Sequence, residues 1–296
     1  MAAVLLSGSS CRVRPSSNDP LTPVLFLETL LELEPRLADR LSVVRWPRHD
    51  AAVTHAAASA ADGVVASGDD ETIDAIAPHA RRLIGYGHRR SVALIGAGAL
   101  ADADALADRL ARDVCFYEQQ GCLSPHVVYV EEGGAVPPIE FARRLARALE
   151  LMAKHWPPAP IPLEAAGVIL QLQAELEFQE AIGAQALSTN GGTVLYDPDP
   201  APRPSPGYRT IWLKPVGQID HALDALQTWQ GRIESAGIAL AGERVDAIRP
   251  RLDRLGVNRL CEIGAMQTPP LRWRLIDQGL LPQLFRWNAV CSAATS

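Results

Sequence analysis

Ten residues carry the best chemical prospect in this chain: YEQQGCLSPH, Tyr117 to His126. Cys122 follows Gly121, which frees the backbone to turn. It stands where a helical run stops and a β-prone run, HVVYVE, begins. Its flanks are Gln119, Gln120 and Ser124 rather than aliphatics. These features suit a presented thiol, although a free cysteine is commonly an inert packing group. The residues alone leave both readings open. Cys115 sits beside Val114 and Phe116 on an amphipathic run and reads as packing; Cys11, Cys261 and Cys291 have no supporting pattern. With five widely spaced cysteines and no C-x-x-C, neither a disulfide framework nor a structural zinc site is expected, and the thiols are read as reduced in a cytoplasmic protein. The seven histidines form no H-x-x-x-H or H-E-x-x-H arrangement, so no metal site is expected; His88 and His126 are the candidates for a Cys–His pair.

A second motif, GAGALA at Gly96–Ala101, fits G-x-G-x-x-A after the strand-like SVALI and before a helical run. A dinucleotide fingerprint needs another strand ending in an acid about 20 residues on. FYEQQGCLSP occupies that place, so a plain strand-to-helix turn is the better reading.

The elements that must position these residues alternate. Short apolar runs at Val4–Leu6, Leu41–Trp46, Gly63–Ser67 and Arg81–Gly87 read as strands, the first of them buried. Helical patterns lie between them, from Pro20 onward, over His49–Ala61 and after Gly68. Ser91–Gly96, His126–Glu131, Tyr208–Val216 and Asn258–Gly264 continue the strands, and STNGGTVLYD supplies a turn and one more. Helices are expected over 102–117, from Pro138, over Leu163–Ile182, Ile219–Gln230 and Glu243–Leu252. Such alternation argues for parallel βαβ units. The proline-rich Asp197–Gly207 is expected to be an exposed loop.

Composition narrows the function classes. A net charge of −6 without a Lys/Arg tract gives no electrostatic footprint for nucleic acid. No apolar run approaches the ~20 residues of a membrane span. The N-terminal MAAVLLSGSSC lacks the positive start and long apolar stretch of an export signal.

The segment YEQQGCLSPHVVYVE, Tyr117–Glu131, resembles the active-cysteine region of the fatty acyl-CoA reductases of the LuxC type, within the aldehyde dehydrogenase superfamily. Other blocks follow in family order. CRVRPSSNDP resembles the turn after a cofactor-domain strand, VVASGDDETI a strand–Gly–helix turn facing the cofactor, and LIGYGHRRSVALIG the hinge between domains. GVNRLCEIGAMQTPPLRW, Gly256–Trp273, resembles the C-terminal signature.

The resemblance implies an aldehyde-dehydrogenase-like α/β fold. Residues 1–88 would form an incomplete Rossmann-like cofactor lobe and 89–296 the catalytic lobe, with Cys122 at the cleft between them. It implies that Cys122 takes the acyl group of a fatty acyl-CoA, and that a reduced nicotinamide converts the bound thioester to an aldehyde. Arg14, Ser67 and Gly68 stand at the family's cofactor positions, and an arginine at position 14 suits the 2′-phosphate of NADPH, with NADH the alternative. The hinge IGYGH, Ile84–His88, lacks the glutamate with which aldehyde-oxidising members activate water, which favours reduction or acyl transfer over hydrolysis. A homo-oligomer and an acyl-transferring partner protein are also expected. Family members are longer at the N-terminus, where they carry the first cofactor strands and an oxyanion-hole asparagine. Either translation starts upstream of Met1, or this is a shortened homologue, impaired or acting as a non-reducing acyl carrier.

Overall fold

The computed structural model describes residues 1–270 except Asn18 and Arg48, together with Leu284. Cys291 and the last three residues of the C-terminal signature block, 271–273, lie outside the described residues. Of the described residues, 1–88 form one compact unit and 89–270 a second.

The first unit alternates short elements: α1 (Ala2–Leu6), β1 (Cys11–Val13), α2 (Thr22–Leu33), β2 (Leu41–Val43), α3 (Ala51–Ala60), β3 (Val64–Ser67), α4 (Asp70–Ile76) and β4 (Leu83–Tyr86). The strands form two parallel pairs, β1 with β2 and β3 with β4. The helices α3 and α4 begin on aspartates whose carboxylates accept main-chain N–H groups, Asp50 from Val53 and Asp69 from Thr72. One expectation fails here. Val4–Leu6 is not a buried strand: it lies in α1, which buries no residue. A strand needs a neighbour for its N–H and C=O groups, whereas these residues satisfy theirs locally, with Leu5 donating to the Met1 carbonyl at 3.1 Å. The first ladder of the chain starts at Cys11 instead.

The second unit is built on seven strands: β5 (Arg90–Ile95), β6 (Pro125–Glu131), β7 (Gln185–Thr189), β8 (Gly192–Tyr196), β9 (Thr210–Val216), β10 (Ile233–Ala239) and β11 (Arg259–Glu262). Their order is β11-β10-β5-β6-β9-β8-β7, parallel except for the antiparallel edge strand β7. The helices α5 (Ala103–Cys115) and α6 (Pro138–Ala153) cover the face that carries Ala93, Ile95, Val128 and Val130. On the other face Val92, Leu94, Val127 and Tyr129 pack with residues of α7 (Leu163–Phe178), α8 (Ile219–Ala225) and α9 (Gly242–Arg254). Burial on both faces explains why β5 and β6 read as unbroken apolar runs.

The loop expected to be exposed is a crossover, exposed at residues 199–201 and 204 and buried at both ends. Residues 197–207 carry the chain from the end of β8 back to the start of β9, which a parallel pair requires. Asp197 and Ser205 are buried. Lys214, fully buried in β9, donates to Asp197 Oδ2 at 2.7 Å and to the Asp199 carbonyl at 2.6 Å. Arg203 lies 4.3 Å from the Trp212 ring centroid and forks onto Glu175 at 2.8 Å through both terminal nitrogens. Prolines remove donors and fix φ, so this loop crosses the sheet face with few amide groups to satisfy.

Candidate active site

Cys122 lies just ahead of β6, at the edge of the sheet where the parallel strands begin. The chain reaches it from α5 through an unusual path. Tyr117, Glu118 and Gln119 take φ values of 53°, 52° and 60°, left-handed conformations that cost a non-glycine residue about 1–2 kcal/mol each. A second left-handed pair, Tyr208 and Arg209 (φ 52° and 56°), locks against the first. Tyr208 N–H donates to the Glu118 carbonyl at 2.8 Å. Arg209, 2% exposed, forks onto the Glu118 carboxylate through Nε (2.9 Å) and Nη2 (2.5 Å), and its Nη1 donates to the Trp156 carbonyl at 2.8 Å.

The turn itself is held on three sides. Ser124 N–H closes onto the Gly121 carbonyl at 2.9 Å, and the Ser91 hydroxyl donates to the Cys122 carbonyl at 2.8 Å. Gln267 Nε2 donates to Ser124 Oγ at 2.9 Å, and Gln119 Nε2 to the Pro125 carbonyl at 2.8 Å. The backbone is fixed while the Cys122 side chain stays exposed. Partial burial raises its thiol pKa above the ordinary value, and the Glu234 carboxylate adds to the rise; the N–H groups of Cys122 and Leu123 pull the other way. Glu234 is itself buried near Arg89, with Nε 3.6 Å from Oε2. Cys122 is thus a presented thiol that is mostly protonated near neutral pH.

Of the two candidate histidines, His126 lies in this unit, where its Nδ1 accepts the Ser205 N–H at 3.0 Å. His88 lies in the first unit, its main-chain N–H on Asp70 Oδ1 at 3.1 Å. Cys115 is buried and its pKa is pushed up to about 11 by that burial, which suits a packing thiol. Among the described residues, no group of three or more His, Cys, Asp or Glu side chains is arranged to hold a metal ion.

Sequence reasoning missed four residues of this site: Asp113, Arg209, Glu234 and Gln267. Only Asp113 left a signal, an acid on the inward face of α5. Its carboxylate accepts from Gly264 N–H (2.5 Å) and Met266 N–H (3.1 Å), docking the C-terminal loop beneath the cysteine turn. Burial pushes its pKa from 3.8 up to about 6, against the pull of those N–H groups and of Arg259. The native state therefore binds this proton more tightly than the unfolded chain does. Stability from this group should rise as pH falls from above 6 to below 4. The expected gain is about 3 kcal/mol, at about 1.4 kcal/mol per pKa unit. Urea denaturation of wild type and Asp113→Asn at pH 4 and 7 checks this; equal pH slopes in the two proteins would refute it.

The GAGALA turn sits at the opposite edge of the sheet and is filled by the chain itself. Ala97 N–H donates to Glu131 Oε2 at 2.9 Å, Ile219 N–H to Oε1 at 3.3 Å, and Arg244 clamps both oxygens at 2.7 and 2.6 Å. A carboxylate in that place occupies the amide that a phosphate would need.

Arg14, Ser67 and Gly68 all lie in the first unit, just past or at the ends of β1 and β3. The Arg14 guanidinium stands 5.5 Å from the Trp46 ring centroid, and Nη2 donates to the Trp46 carbonyl at 3.4 Å. Its Nε is buried without a partner. Gly68 N–H donates to the Tyr86 carbonyl at 3.2 Å, and a Cβ there would meet only Thr72, at 3.5 Å.

Against known proteins, the family model for acyl-CoA reductase (LuxC) matches residues 1–270. The long-chain acyl-protein thioester reductase of Aliivibrio fischeri is 24% identical over 266 residues, covering 88% of this chain and 54% of that protein. The chain therefore spans about half the length of the curated relatives it matches. Two solved structures share the architecture at low identity. Indole-3-acetaldehyde dehydrogenase complexed with NAD+ superposes with a TM-score of 0.73 at 15% identity, over 95% of this chain and 62% of that one. The NADP-dependent glyceraldehyde-3-phosphate dehydrogenase of Bacillus halodurans C-125, complexed with NADP, gives 0.72 at 18% identity, over 96% and 63%. The fold is aldehyde-dehydrogenase-like α/β.

Proposed function

We propose that this chain, which belongs to the LuxC family of acyl-CoA reductases, moves a fatty acyl group from a thioester onto Cys122 and releases it as an aldehyde. The observation that carries the reading is the held turn: an exposed thiol on a backbone fixed by Ser91, Gln119, Gln267 and the Gly121–Ser124 closure. The Cys122 thiolate attacks the carbonyl carbon of the donor. The new S–C bond forms, the donor C–S bond breaks, and the departing thiolate takes a proton from solvent. A thioester is a good choice of intermediate because it accepts a hydride readily and its thiolate leaves easily. The family description names CoA as the acyl carrier and the relatives' names an acyl-protein; the same thiol-to-thiol exchange serves either.

A nicotinamide cofactor, when bound, would supply the hydride. Arg14, Ser67 and Gly68 are the proposed holders. The fit rests on Arg14, whose buried Nε has no partner and whose guanidinium suits the 2′-phosphate of NADPH. Gly68 leaves space for close approach of a ligand, since only Thr72 borders it.

Incubation with radiolabelled tetradecanoyl-CoA, with and without NADPH, tests the reading. Label on Cys122 that NADPH discharges as aldehyde is the expected result. Label that NADPH leaves in place would point to a non-reducing acyl carrier, and an unlabelled protein would refute acylation altogether.

A further inference from the structure

Beside the cysteine turn, the second unit contains a cavity of about 490 Å³, within the range of small-ligand sites. Its walls are mainly apolar: Phe116, Met152 and Trp156, with the Phe116 and Trp156 ring centroids 4.9 Å apart. Gln267 also lines it, and the Gln267 amide faces two ways. Nε2 donates to Ser124 Oγ at 2.9 Å and to the Asp113 carbonyl at 3.1 Å, and a Cβ placed on Gly121 would stand 3.6 Å from Oε1. Gln267 therefore lines the cavity and holds Ser124, the residue that closes the turn presenting Cys122.

The loop that carries Gln267 is itself anchored. Arg259 donates to the carbonyls of Met266 (2.6 Å), Ala265 (2.7 Å) and Thr268 (3.4 Å), while Asp113 takes the N–H groups of Gly264 and Met266. With the loop backbone fixed, what fills the cavity acts on the turn through the two hydrogen bonds of the Gln267 side chain.

Resting on the reading of Cys122 as the acylated thiol, we infer that the cavity takes the apolar chain of the acyl group and that Gln267 is a positioning residue coupling its occupancy to the Cys122 turn. The walls supply desolvation for methylenes and Gln267 supplies the link. Chain binding and thiol placement then act through different residues, which separates their kinetic signatures.

The test measures acylation of Cys122 in the full chain by tetradecanoyl-CoA and by butyryl-CoA, as a function of donor concentration. Wild type should favour the long chain by at least about tenfold at low donor concentration. Gln267→Met keeps the side-chain length and removes the donor. It should lower the saturated tetradecanoyl rate about five- to tenfold more than the butyryl rate. Trp156→Ala should instead raise the half-saturating tetradecanoyl concentration by about tenfold. Equal losses for the two donors in Gln267→Met would mark a merely structural role and overturn the coupling. A wild type without chain-length preference would overturn the cavity assignment while leaving the acylation reading intact. Failure of wild type to acylate with either donor overturns both. If Gln267→Met does not fold, Trp156→Ala still decides the cavity assignment, an unshifted half-saturation refuting it, and Gln267→Asn replaces the methionine variant for the coupling, with equal losses for the two donors overturning it.

Discussion

Replacing Cys122 by serine should lower acyl labelling by at least about 10³-fold, while Cys115→Ser leaves labelling within about twofold of wild type. The difference follows from geometry and acidity together. Cys122 is exposed on a held turn; Cys115 is buried against α5's core with its thiol pushed up to about 11. A serine at 122 would keep the turn but offer a far weaker nucleophile and a poorer leaving group. The raised Cys122 pKa sets a pH signature. Because the thiol ionises above its ordinary value of 9.0, labelling should climb about tenfold between pH 7 and 8, as the thiolate fraction does, and go on rising beyond. Glu234→Gln removes a nearby negative charge that raises this pKa, so it should speed labelling at pH 7. Labelling that is flat with pH, or retained in Cys122→Ser, would move the nucleophile elsewhere.

Legibility followed local pattern. β5 and β6 stand out because both their faces pack on apolar neighbours, and α5 and α6 because one face packs while the other is charged and exposed, so run length and periodicity speak plainly. β10 escaped notice although it lies between β5 and β11. Its sequence IESAGIA breaks the apolar run with Glu234, Ser235 and Gly237. Gly237 is forced by packing: a Cβ there would lie 2.7 Å from Met266 Sδ. The hairpin strand β7 was hidden in the same way, by a half-buried edge position before the Asn190–Gly191 turn. At the site, the helix break and Gly121 made Cys122 legible. Its supports did not show, because they come from far along the chain. Arg209 reaches Glu118 across 91 positions and Gln267 reaches Ser124 across 143. The left-handed residues Tyr117 to Gln119 carry no glycine signature, so only tertiary contact explains their backbone.

Those contacts make Arg209 the most consequential support. Arg209→Met should destabilise the second unit by about 3–5 kcal/mol, because it strips a buried cation from its partner and leaves Glu118 uncompensated. The Glu118 side chain is only 22% exposed, so water can repay part of its lost interaction and no more. Three donated hydrogen bonds vanish at once, to both Glu118 oxygens and to the Trp156 carbonyl. With them goes the tie that holds Tyr117, Glu118 and Gln119 at positive φ, and these residues would relax toward right-handed or extended backbone. That relaxation moves the turn beginning at Gly121, and a displacement of about 1 Å at a reacting group can cost about 10²-fold in rate. Arg209→Lys should recover charge but not the fork, giving intermediate stability and slow labelling. Urea denaturation at pH 7, paired with Cys122 labelling well below the transition, separates the two effects. If Arg209→Met is destabilised yet labels at the wild-type rate, the left-handed segment is a structural clamp with no hold on the thiol.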